Sequence, residues 1–102
     1  MKEPIDLLED LLLGEDGLLV SLRQGDGLDT EKVDKICNLL ECMENKWKDS
    51  RLIPKKAAEL FVDLCPVMES SCGLYDENEV LEIMDAADRI MVRIRGCLSN
   101  AK

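Results

Sequence analysis

The chain has 102 residues, with 22 Asp plus Glu against 13 Lys plus Arg, no histidine and a formal charge of -9. Histidine is the side chain that ordinarily titrates near neutrality, so its absence removes the commonest acid–base catalyst. Charge of this size governs solubility and association, not fold. The composition therefore argues against most neutral-pH enzyme chemistry and towards a non-enzymatic protein that presents a surface, with no cofactor and no metal.

The length suits one helical domain spanning residues 1–102, and the 46% apolar content is enough to fill its core. The opening Met1-Lys2-Glu3-Pro4 lacks the basic and apolar regions of a signal peptide, and no apolar run is long enough to span a bilayer. Five cysteines, an odd number without a secreted-type spacing, fit a reducing cytoplasm.

Pro4 suits the first turn of a helix, where a missing N–H costs nothing, and Leu8, Leu11, Leu12, Leu18, Leu19 and Leu22 line one side. Gly14 and Gly17 interrupt this stretch. Matching helix lengths favour a continuous, bent helix to about Gln24, and a break at Gly-Glu-Asp-Gly is the alternative. The Gly25-Asp26-Gly27 turn then ends the first arm.

The second stretch carries Val33, Ile36, Leu40, Met43 and Trp47 at alternating spacings of 3 and 4, the period of one buried helical stripe. Asp29 or Thr30 caps it, and Glu31 with Lys35 and Glu44 with Lys48 are i,i+4 pairs. The third stretch starts at Pro54 and turns Ala57, Phe61, Leu64 and Met68 inward. Pro66 removes the bond to the Val62 carbonyl, so this helix is expected to be kinked, or split with a short turn from Pro66 to Cys72.

The fourth stretch has a written start: Asp76 as N-cap, Glu79 three residues on, and Tyr75 placed to staple onto Val80. Val80, Met84, Ala87, Met91, Ile94 and Leu98 are its expected stripe, flanked by Ile83, Ile90 and Cys97. Four amphipathic stretches without strand alternation predict an all-α protein, an antiparallel four-helix bundle with an up-down-up-down course.

The residues present exclude most catalytic and metal-binding arrangements. A di-metal bundle site needs Glu-x-x-His pairs, and there is no histidine. The segment from Asp26 lacks the alternating oxygen ligands of a calcium loop. The cysteines read as small buried hydrophobes, with Cys65 and Cys72 the residues that a bend at Pro66 would expose.

Charge falls in blocks: residues 1–31 carry -7, 32–56 carry +3, 57–88 carry -9 without a base, and 89–102 carry +4. These blocks either hold helices in register or recognise a partner. The functional expectation is an inhibitor or immunity-type module that docks on and masks a basic protein, such as a toxin or nuclease. The analogy to small immunity proteins and antitoxins is one of size and charge. Its binding residues are expected to be Glu9, Asp10, Glu15 and Asp16 in the first arm and Glu77, Glu79, Glu82 and Asp85 in the last. Nucleic acid is disfavoured by the net charge, despite the basic stretch around Trp47, and no membrane partner is expected. The alternative is a structural or adaptor protein that forms a homodimer through spare apolar surface at Leu7, Leu13 and Val20.

Overall fold

The computed structural model describes residues 4–15, 17–47, 50 and 52–98, and the described residues are helical without a strand. The first arm is not the continuous helix that matching lengths favoured: α1 (Pro4–Leu13) ends and α2 (Leu18–Arg23) follows after a break. Gly14 N–H closes the last turn on Asp10 at 3.0 Å, and Gly17 N–H then donates to the Gly14 carbonyl at 2.8 Å. The chain folds back so tightly that a Cβ at Gly17 would lie 2.5 Å from the Leu12 carbonyl carbon, which no side chain tolerates. The break re-aims the chain so that Leu18, Leu19 and Leu22 are all buried.

The 3,4 stripe of α3 (Thr30–Trp47) is buried at Val33, Ile36, Leu40 and Met43, joined by Cys37, with Trp47 half-buried at its end. Asp29 is the cap, since its carboxylate accepts the Lys32 N–H at 3.2 Å. Glu31 and Lys35 do not pair as their spacing suggested; Lys32 instead reaches back to Asp29 at 3.8 Å. The Glu44–Lys48 pair falls on a residue outside those described.

Helix α4 (Lys55–Ser71) starts after Pro54 and runs through Pro66, bent rather than split. Both Pro66 and Val62 face solvent, so water can satisfy the Val62 carbonyl that loses its donor. A short turn, Cys72–Leu74, leads into α5 (Glu77–Leu98), where the Asp76 carboxylate accepts the Glu79 N–H at 2.9 Å as the cap signal predicted.

The buried face of α5 differs from the expected one. Ile83, Ala86, Ala87, Ile90, Ile94 and Cys97 are buried, whereas Val80 and Met91 are only partly covered and Met84 is 41% exposed. The helix is turned by about one residue, roughly 100°, so that the former flank becomes the centre. Ala86 and Ala87 are buried side by side on this face, and stiff isoleucines suit a packed seam better than methionines, which tolerate a half-exposed flank.

Successive arms alternate in direction, yet α3 and α4, though consecutive, barely touch. The most extensive packing is α3 on α5, and these two run parallel. Arg89 meets Asp34 at 3.0 Å and the Cys97 thiol donates to the Leu40 carbonyl at 3.3 Å, sequence separations of 55 and 57. The first arm and α4 are likewise parallel: Lys56 meets Asp6 at 2.8 Å, 50 residues away, and Tyr75 reaches Leu22, 53 residues away. The four-helix bundle is thus two helical hairpins laid side by side in the same orientation.

Candidate protein-docking site

This topology converts charge blocks along the chain into charge at the two ends of the molecule. The turn between α2 and α3 and the turn between α4 and α5 lie at one end, joined where the Gly27 N–H donates to the Tyr75 hydroxyl at 3.1 Å. That end gathers Asp26, Asp29, Glu31, Asp76, Glu77, Glu79 and Glu82, relieved by Arg23 and Lys32. At the opposite end, Pro4, Ile5, Met43, Trp47 and Pro54 meet around a small cleft, and Lys46, Lys55, Lys56 and Arg95 are placed there with Asp6, Glu9 and Glu44.

The eight acids expected to bind a partner do not form one surface. Glu77, Glu79, Glu82 and Asp85 are exposed along the start of α5 at or near the acidic end. Glu9 sits towards the other end, where Lys56 bridges it at 2.8 Å as well as Asp6. Asp10 lines a groove between α1 and α3, and Glu15 lies exposed in the break between α1 and α2. Asp16 is outside the described residues.

Two of the predicted acids border a concavity. Glu82, Asp85, Ala86 and Arg89 from α5, with Leu28 from the turn and Thr30 and Val33 from the start of α3, surround an open pocket of about 250 Å³. Its floor is aliphatic and one rim is anionic. Arg89 closes the far side, turned to Asp34, whose hydrogen bond raises the guanidinium pKa further. Leu28, Thr30 and the nearby Asp26 and Asp29 escaped the sequence reading, because they join the site only when the turn is brought against α5. Their cue was the acid-rich Gly25-Asp26-Gly27-Leu28-Asp29 segment, which by itself indicates a turn and a helix cap and does not fit a calcium loop.

A wider open groove of about 540 Å³ between α3 and α5 is lined by Asp34, Cys37, Asn38, Arg89, Val92 and Arg93. Two guanidiniums beside a thiol is the arrangement that activates a cysteine, but here burial dominates: it pushes the Cys37 thiol pKa up, with Arg89 and Arg93 only partly opposing it. Cys37 is 8% exposed and stays a protonated, shielded thiol. Burial likewise pushes Cys97 up to about 11. Cys72 is half-buried with its thiol 3.6 Å from the Met68 carbonyl, and the Cys65 side chain lies outside the description.

Among the described residues, Cys37, Cys42, Cys72 and Cys97 are free thiols, no three His, Cys, Asp or Glu side chains group as metal ligands, and no helix is long and apolar enough to cross a membrane. No family model matches the chain, and neither a curated protein nor a solved structure matches it.

Proposed function

We propose that this protein is a non-enzymatic binding module that uses its acidic end to dock on and mask a basic protein partner, as an inhibitor or immunity-type protein does. The observation that carries the reading is the pocket bordered by Glu82 and Asp85 over Leu28, Val33 and Ala86. A lysine or arginine has an aliphatic stem and a cationic head, and this pocket offers an aliphatic floor with two carboxylates at its rim. The surrounding acids would speed encounter with a cationic surface and make it salt-sensitive. A reducing cytoplasm suits the free thiols, and the net charge of -9 disfavours nucleic acid.

The test is recovery of the natural partner by pull-down, followed by binding across a salt series with the Glu82→Lys/Asp85→Lys variant. Both side chains are exposed, so the fold should persist while association at low salt slows by about tenfold or more. An acidic or uncharged partner, or binding indifferent to salt and to the double reversal, would transfer recognition to apolar surface.

A further inference from the structure

The packing of α1 on α3 leaves an open apolar groove of about 470 Å³ along their shared outer edge, floored by Leu7, Leu11, Leu39 and Cys42. Leu7 is 44% exposed there, although it stands next to the fully buried Leu8. Of the other spare apolar residues, Leu13 falls on the opposite flank of α1 by helical period, and Val20 is half-buried. The groove has a wall of each charge: Asp10 on α1 and Lys35 on α3. Lys35 forms no ion pair among the described residues, since its i,i+4 neighbour Glu31 does not engage it.

We propose that a second copy of this chain docks in this groove, forming a twofold dimer in which α1 of each copy lies on α3 of the other. A twofold interface must be complementary to itself. This one is, because rotation about an axis along the groove exchanges its walls and sets Asp10 against Lys35 of the second copy, twice, over a floor of paired leucines. Within one chain α1 and α3 are antiparallel, and the same rotation lays them antiparallel again across the interface. A foreign basic partner, which the net charge favours elsewhere, meets a lysine here; two copies, each of charge -9, repel only at long range, where salt screens them, and the leucine floor and the local Asp10–Lys35 pairs hold the contact.

The α4–α5 hairpin makes the contrast. It also exposes apolar side chains, Val62, Leu81 and Met84. Every charged residue from 57 to 88 is acidic, so two copies apposed there would set like charges together. The α1–α3 groove instead sets both signs beside an exposed leucine; it lies apart from the acidic end and does not depend on the function proposed for it.

Sedimentation equilibrium of the full chain tests the proposal. The wild type should show a concentration-dependent dimer that persists in high salt, and Leu7→Asp should weaken it by at least about tenfold. Asp10→Lys and Lys35→Asp should each weaken the dimer, and the two together should restore it, a rescue that general misfolding cannot produce. A bifunctional maleimide should join two wild-type chains through Cys42 and fail with Cys42→Ser. A wild type that stays monomeric at every concentration reached overturns the proposal, as does a dimer unmoved by Leu7→Asp and by the charge exchange. Loss of a different bound protein in the Leu7→Asp variant of a monomeric wild type would give the groove to that protein instead.

Discussion

The Tyr75 hydroxyl donates to the Leu22 carbonyl at 2.8 Å, tying the turn before α5 to the last turn of α2. The same oxygen accepts from the Gly27 N–H, in a turn where Gly25 and Gly27 take φ of +80 and +96, values that L side chains rarely adopt. One phenol thus gives the Leu22 carbonyl, which also accepts from the Gly25 N–H at 3.2 Å, a second donor and supplies the Gly27 amide with an acceptor across the two hairpins. Tyr75→Phe should cost about 1–3 kcal/mol, the range for a partly buried polar group left without its partner. Urea titration reads it directly, and a cost below about half a kcal/mol would mean that water replaces the hydroxyl without loss.

The orientation of α5 makes a paired prediction. Ile90 is fully buried and Met84 is 41% exposed. Ile90→Ala should cost about 2–5 kcal/mol through cavity formation, whereas Met84→Ala should cost under about 1 kcal/mol as a largely surface change. Comparable denaturation midpoints for the two variants would mean that the helix is rotated back towards its methionine face.

At Gly17 the backbone of Leu12 occupies the space that a side chain needs. Gly17→Ala should destabilise by about 1–3 kcal/mol, as overpacking against atoms that cannot move aside does. Alanine favours helix, so a gain in helical circular dichroism without loss of stability would show the first arm straightening into one continuous rod.

The thiols should separate kinetically and by pH. Cys42 is exposed and should react first with a maleimide, while the buried Cys37 and Cys97 should react only as fast as the chain opens. Cys97 has its pKa raised from 9.0 to about 11 by burial, with Glu44 adding to the effect. The folded chain therefore keeps a proton that the unfolded chain releases in that window. Its contribution to stability is complete below about pH 9 and is lost as pH rises through about 11. Cys97→Ala should flatten the alkaline fall in stability measured by denaturant titration, at some cost in packing at every pH.

Much of this was readable in local signals. The Asp76 cap needs only residues 75–80 to be recognised, and the α3 stripe has a single apolar face to bury. The face of α5 is harder, because it carries two apolar stripes about 100° apart, and packing against the other helices, which buries Ala86 and Ile90 and leaves Met84 out, decides between them. Gly14 and Gly17 signal a cost to helix but not where the chain goes next; the burial of Leu18 and Leu19 settles that. For the docking site, Glu82 and Asp85 stood out as charges, while Leu28 and Thr30 became neighbours only through packing between the hairpins. No local pattern in residues 48–54 says which side of the bundle they lead to.

The sparse contact between α3 and α4 also bears on how freely the chain could be rewired. Pro4 and Leu98 both lie at the end of the bundle where α3 gives way to α4, because each hairpin starts and finishes there. The order of the hairpins is then a matter of which link is covalent. A circular permutant that opens within residues 48–54, and joins the present termini with a short flexible tether, would be synthesised as α4 and α5 followed by α1, α2 and α3. Such a chain should reach the same bundle, with its thermal midpoint lowered only by the entropy of the new closure.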